Sequence, residues 1–429
     1  MRIFIILWLG QLASAIGSHM TYFALTLWVW QKTESATAIA LILFFYQLPQ
    51  IAIALFSGIL VDRVSRKQLL ILSDTASACC TLSVGLLATM QALQIWHLYL
   101  IAAIIGCFGH IQTLTYTTTV PLLVPPQHHV RATSMGAIAG YSTNIFAPAL
   151  AGLLYPWIGL LGITVIDLVT FAMAIVGLLL VSVPSVNRAS YDHEQASAEN
   201  GAEKCLWQDI TFGFRYIRAH PKLRAMVVVL STFVFLDQVG EILYQPMILA
   251  QTNGNAQMVG MVAAASGVGG VIGGAILAVG GGFRDRIVGI WVGMLGVGIS
   301  KLIFGLGRHL IPWMGARLGA SLSEPLIFSS YTAVWYAEVP PALQGRVFAA
   351  DHLIGLVIGA AASLIAGPLA DYVFEPALQP TGYLAPILGM VLGTGDGTGM
   401  ALLYVLTAGG LLLVSAMCKT LHSSRHPDT

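Results

Sequence analysis

The chain has 429 residues, 57% of them hydrophobic and only 9% charged, with a formal net charge of +1. Soluble domains carry about 25% charged residues, and a soluble fold of this composition would leave in water apolar areas that monomers rarely tolerate. The near-zero net charge excludes a field for nucleic acid, so the solvent of this fold is read as lipid.

Crossing a hydrocarbon core of ~30 Å takes roughly 20 apolar helical residues, and backbone groups in lipid must pair within the span. That ruler predicts helices over 3–31, 38–61, 68–93, 97–120, 133–155 and 161–182. After a polar stretch it predicts 223–250, 257–281, 287–306, 310–336, 348–374 and 398–418. Arg2, an apolar run and Ala13-Ser14-Ala15 have the outline of a cleavable signal. The apolar run continues through Phe23-Ala24-Leu25 to Trp30, so the first helix is expected to be retained.

Lys and Arg are distributed unevenly between the two ends of these spans. One side collects Arg2, Arg63, Arg66, Lys67, Arg131, Arg188, Lys204, Arg215, Arg218, Lys222, Arg224, Arg284, Arg286, Arg346, Lys419 and Arg425. The other holds Lys32 and Arg308, which predicts cytoplasmic termini and a cytoplasmic connector. Within the connector, Ser190 to Glu203 is small and acidic, whereas Trp207, Ile210, Phe214 and Ile217 recur at helical spacing. A surface-lying amphipathic helix is expected there. Cys79, Cys80, Cys107 and Cys418 lie in or beside apolar stretches and Cys205 in the connector, with no metal or disulfide spacing. Val124-Pro125-Pro126 leads to Arg131 and Val339-Pro340-Pro341 to Arg346, each after the fourth span of its half. Matching loops in two sets of six spans indicate an internal duplication.

The loop after the second span reads Gly58-Ile59-Leu60-Val61-Asp62-Arg63-Val64-Ser65-Arg66-Lys67. It resembles the G-x-L-x-D-R-x-G-R-K signature of the major facilitator superfamily, with Ser65 where the family usually has Gly. Asp62 is suited to cap a helix start and to pair with arginines, latching the two halves together on the cytoplasmic side. Arg284-Asp285-Arg286 is a degraded echo of it. Ala147-Pro148-Ala149-Leu150-Ala151-Gly152 is similar to the G-P-x-x-G-G motif of the family's antiporters, and Gly367-Pro368-Leu369-Ala370-Asp371 stands in the eleventh span. Small residues allow close helix approach and Pro allows a kink. Leu7-Trp8-Leu9-Gly10-Gln11, Phe23-Ala24-Leu25, Thr33-Glu34-Ser35-Ala36-Thr37 and Gly345-Arg346-Val347-Phe348 look like the macrolide-efflux and siderophore-exporter branch. The fourth span lacks the Arg of the neighbouring drug–proton antiporters, so proton coupling has to use other residues.

The resemblance implies an all-α membrane protein with twelve transmembrane helices in two pseudo-symmetric six-helix bundles. Residues 1–182 would form the first bundle, 183–222 a cytoplasmic linker and 223–429 the second bundle. It implies a proton-coupled exporter of a small amphipathic molecule, such as a drug, macrolide-like compound or siderophore. Such a protein works by alternating access, as a monomer in the bacterial inner membrane. Uptake or metal-ion export on the same fold, and a non-transporting sensor or lipid-moving protein, are the alternatives. No nucleotide-binding loop, nucleophile elbow or zinc motif occurs, so neither an enzyme nor a cofactor is expected.

An ionisable group inside a span is a functional candidate by default. Asp237 and Glu241 lie one turn apart in the seventh span and share a face. Two carboxylates that close repel when both are charged, which makes them candidates for carrying protons or holding a cation. Glu324 in the tenth span is the third coupling candidate. The competing reading is a fixed network in which Lys301 and Arg317 neutralise these acids. In the family, spans one, four, seven and ten line the central cavity. This implies Gln11, His19, His110, Gln112, Tyr244 and Gln245 as substrate contacts, with Asn144 from span five. Gly58, Asp62, Arg63, Arg66, Lys67, Arg131 and Arg346 form the expected cytoplasmic gate. Asp74 is expected to join the Asp62–Arg63 latch and Asp167 to be structural, while Trp28 and Trp30 belong to an aromatic belt. Two histidines and three acids also raise a divalent-metal reading, which the spacing does not support.

Overall fold

Among the described residues every regular element is a helix, the arrangement that lets each segment satisfy its own backbone groups in lipid. The computed structural model describes residues 2–54, 64–180 and 202–423. The first part comprises α1 (Arg2–Thr33), α2 (Ala36–Ala54), α3 (Arg66–Thr89), α4 (Ile95–Leu123) and α5 (His129–Leu180). Then come α6 (Ala202–Ala219), α7 (Pro221–Gln251), α8 (Ala256–Gly280), α9 (Arg286–Leu306), α10 (Leu310–Glu338) and α11 (Pro341–Leu369). Short α12 (Glu375–Leu378) and α13 (Ala385–Leu392) precede α14 (Thr398–Ser423).

Ten of these helices are long and apolar enough to cross a membrane. The 52-residue α5 combines the predicted fifth and sixth spans and bends sharply at Gly159, where φ is 63° and ψ is −169°. Only glycine enters that region without strain. The 29-residue α10 is also of spanning length, but Arg317 and Glu324 inside it lower its apolarity.

The arms of α5 have different partners. Its second arm lies along α1, where a Cβ added at Gly17 would stand 3.0 Å from Asp167 Oδ1 and one at Gly10 3.2 Å from Ala174 Cα. Its first arm meets α8 in the second bundle. A Cβ at Gly152 would lie 2.8 Å from the Ala256 carbonyl, and one at Gly260 2.6 Å from the Pro148 carbonyl. The Ala147–Gly152 motif is thus a close backbone seam between the bundles. A second seam joins α2 to α11, where a Cβ at Gly367 would stand 2.5 Å from Thr37 Cα.

A carboxylate closes the second seam. Asp371, in the π-helical turn Ala370–Phe374, accepts hydrogen bonds from Ser35 Oγ at 2.6 Å, Ala36 N–H at 3.0 Å and Thr37 N–H at 2.8 Å. The free N–H groups and positive dipole end of α2 are therefore capped by an acid of the opposite bundle. One turn on, Glu375 accepts from the Gly397 and Met400 N–H groups and secures the start of α14.

At the basic face, Gly58, Asp62 and Arg63 lie outside the described residues. Ser65, the departure from the family signature, is the N-cap of α3, its hydroxyl accepting from Gln68 N–H at 3.4 Å. The start of α3 is therefore capped by Ser65. The amphipathic helix exists as α6, with its orientation corrected. Ile217 is buried, with Phe212 and Tyr216 packed beside it, whereas Phe214 is exposed. The side chains of Trp207 and Ile210 lie outside the described residues.

Gly260→Val is expected to force α5 and α8 apart, because the atom its Cβ meets is backbone, at a cost of about 1–3 kcal/mol. Gly136→Ala has open space around the added carbon and should be neutral. Thermal unfolding of the purified variants checks the contrast.

Candidate functional site

Ionisable side chains gather in the middle of the second bundle. Lys301 of α9, 1% exposed, places Nζ 2.6 Å from Asp237 Oδ1 and donates to the Asp237 carbonyl at 2.7 Å. Arg317 of α10 grips Glu241 with both guanidinium nitrogens, Nη2 donating to Oε1 at 2.7 Å and Nη1 to Oε2. Its Nη2 also donates to Ser266 Oγ at 3.3 Å, and its guanidinium lies 4.3 Å from the centre of the Tyr244 ring. Tyr244 Oη accepts from Gln245 Nε2 at 2.8 Å. Two acids and two bases thus balance to zero inside the bundle, and the bidentate fork holds its geometry well.

Glu324 completes the group without joining it. Asp237, Glu241, Arg317 and Lys301 are its electrostatic neighbours, yet it has no hydrogen bond or ion pair among the described residues. Pro325 follows it, and its missing N–H opens the helix ladder there.

The first bundle contains a cavity of about 450 Å³. Gln11, His19, Gln112 and Asn144 line it, together with Trp8, Tyr46, Tyr116 and Phe171. Its α1 residues run from Trp8 to His19, roughly 9–26 Å from the helix start at 1.5 Å per residue. It therefore occupies the depth between the basic face and mid-span. His110, Tyr244 and Gln245 do not line it. His110 instead faces His352 of α11 across the bundles, ring centres 6.2 Å apart.

Two acids stand in the cavity wall. Asp74 accepts from Gln11 Nε2 at 2.9 Å and Gln112 Nε2 at 2.5 Å, which knit α1, α3 and α4 together, while its expected latch partners Asp62 and Arg63 lie outside the described residues. Asp167 accepts from Ser18 Oγ at 3.0 Å and Thr81 Oγ1 at 2.9 Å, so it also holds helices in place.

Of the expected gate residues, Lys67 donates to the Leu179 carbonyl at 3.2 Å, and Arg346 lies 5.9 Å from the Phe212 ring centre on α6. Arg66 is the first residue of α3, and Arg131 lies in the first turn of α5. Among the described residues no three His, Cys, Asp or Glu side chains are grouped to hold a metal ion.

Sequence reading passed over Asp351, which accepts from Tyr331 Oη at 2.8 Å, and its neighbour His352. Both lie inside the predicted eleventh span and meet the criterion that singled out Asp237. It also missed the capping role of Asp371, for which no local signal exists because the partner lies more than 300 positions away.

Lys301→Met alone should leave Asp237, 20% exposed, without its basic partner and cost up to about 3 kcal/mol, while adding Asp237→Leu should recover most of that loss. A double-mutant cycle in thermal unfolding reads the coupling.

Three comparisons accord with this architecture. Residues 7–363 match the profile of the Major Facilitator Superfamily. Macrolide efflux protein A of Streptococcus pyogenes is 27% identical over 357 residues, covering 80% of this chain and 84% of that protein. The multidrug efflux pump Tap of Mycolicibacterium fortuitum is 22% identical over 366 residues, covering 84% and 88%. Among solved structures, an inward-facing, unoccupied bacterial homologue of the human lysosomal transporter Spinster superposes with a TM-score of 0.71. That match covers 99% of this chain and 96% of the other at 16% identity, a likeness of fold.

Proposed function

The chain belongs to the Major Facilitator Superfamily, and from that premise we propose that it is a proton-coupled exporter of a small amphipathic molecule. It is a multi-pass membrane transporter rather than an enzyme. The observation that carries the reading is the cavity of about 450 Å³, whose surface is mostly apolar and aromatic, with amides, hydroxyls and two carboxylates set among the rings. Small-molecule sites have that composition. The efflux proteins among its relatives support the outward direction.

In this mechanism the bundles 1–182 and 223–429, tethered by 183–222, rock about the two glycine seams. The basic face is cytoplasmic, the membrane is the bacterial inner membrane and the monomer is the working unit. Gly58, Asp62, Arg63, Arg66, Lys67, Arg131 and Arg346 gate the cytoplasmic side. Gln11, His19, Gln112 and Asn144 contact the substrate, while His110, Tyr244 and Gln245 act from the bundle interface and the second bundle.

Glu324 is the leading proton carrier. Asp237 and Glu241 each already hold a basic partner, so a proton arriving there must break an ion pair. A proton arriving at Glu324 meets a carboxylate without one. Asp237 and Glu241 set the charge environment in which Glu324 gains and loses it.

Reconstituted wild type should drive proton movement when a substrate is added from a panel of lipophilic amines and macrolides. Glu324→Gln should lower coupled flux more than tenfold, with substrate–substrate exchange retained, since exchange needs no net proton transfer. Full coupling in Glu324→Gln would remove that residue from the mechanism, and no proton movement in wild type would remove proton coupling altogether.

A further inference from the structure

Acids in the two bundles are matched differently. In the second, Lys301 and Arg317 sit on Asp237 and Glu241. In the first, Asp74 and Asp167 are 2% and 3% exposed, and their hydrogen-bond partners are the neutral donors Gln11, Gln112, Ser18 and Thr81. Among the described residues neither has an ion-pair partner, and the cavity wall contains no Lys or Arg. Among the described residues His19 is the one basic side chain in that wall, and it is an electrostatic neighbour of Asp167.

Neutral donors solvate a carboxylate without cancelling its charge, and uncancelled charge at membrane depth costs about 2.5–3.5 kcal/mol even on insertion scales. Asp167 is bonded to Thr81, two turns along α3 from Asp74, which separates the two acids by ~10 Å along the helix. The rings of Trp8, Tyr46, Tyr116 and Phe171 line the same cavity, and their faces attract cations.

Resting on the reading that this cavity is the substrate site, we propose that its ligand is a lipophilic organic cation, a protonated amine or an onium ion. Asp74 and Asp167 supply the countercharge at the two ends of the cavity. The cation contributes the positive charge that Lys301 and Arg317 contribute permanently in the other bundle. A bare metal ion fits poorly. It needs several donors at one point, whereas these acids are far apart and occupied by amides and hydroxyls, with aromatic rings around them.

The test is equilibrium dialysis of the full-length protein in lipid nanodiscs against tetraphenylphosphonium and tetraphenylborate, ions of one shape and opposite charge, with empty nanodiscs subtracted. Wild type should bind the phosphonium at least about tenfold more tightly than the borate. Asp74→Asn and Asp167→Asn keep an acceptor for their helix contacts. Each should weaken phosphonium binding about tenfold without weakening borate binding. Asp74→Glu and Asp167→Glu should retain the preference. Equal affinity for the two ions, or full preference in both Asn variants, would overturn the cation assignment and leave an amphipathic-molecule cavity standing. Binding of neither ion by wild type would overturn the cavity as substrate site together with its ligand class. Displacement of the phosphonium by Mn²⁺ as readily as by excess phosphonium would assign the acids to an inorganic cation and overturn the organic one.

Discussion

An ionised side chain inside a membrane has to be matched, and the way each acid finds its match organises this molecule. Asp237 and Glu241 are matched within the fold by Lys301 and Arg317, which join α7, α9 and α10. Removing either base would strand a half-buried carboxylate, so the pairs specify how those helices sit even though buried ion pairs add little net stability. Asp74 and Asp167 are matched by amides and hydroxyls, and Glu324 by no hydrogen bond or ion pair among the described residues. The second bundle thus carries a self-neutral brace with one spare carboxylate, and the first carries a cavity with acid in its wall. Asp237 and Glu241 brace the second bundle, whereas Asp74 and Asp167 combine helix contacts with the proposed transport work.

A transporter of this kind also needs two bundles that hold together while moving, and the seams fit that demand. Glycines at 152, 260 and 367 bring backbones into contact, and Ile145 and Tyr141 of α5 seat against Gly267 and Gly270 of α8, so close van der Waals packing holds α5 to α8 and α2 to α11. Asp371 adds a polar contact at one face, with three donors on one carboxylate. At the other face the cavity reaches toward the basic loops. The polar contact closes the end of the seam opposite the basic loops.

The helices were legible because hydropathy reports length and polarity, the quantities that decide whether a segment can span lipid. Gly58 to Lys67 and the paired Val-Pro-Pro loops carried the family because they sit at equivalent turns of a repeated plan. Hydropathy does not report which way each helix faces. That is why Asp237 and Glu241 read equally well as a proton site or as half of a network, and why no pattern in the sequence pairs Asp74 with Gln11 and Gln112. Rotation misled the reading of α6 as well, since Phe214 and Ile217 both fit a helical stripe and only Ile217 is buried. The bond between Asp371 and the start of α2 spans most of the chain, and no local pattern foretells it.

The central claim is that the bundles alternate about these seams, with Asp371 holding the face opposite the basic loops closed. Spin labels at exposed Lys32 and Tyr372 report that face, and labels at Gln127, just after Val124-Pro125-Pro126, and Ala337, just before Val339-Pro340-Pro341, report the other. Distance distributions by electron–electron resonance in nanodiscs, with and without Asp371→Ala, are the most direct measurement. Alternation predicts that Asp371→Ala shifts the Lys32–Tyr372 population to longer distances and the Gln127–Ala337 population to shorter ones. Distributions that stay the same at both faces would show that Asp371 does not hold the closed state and would contradict the account.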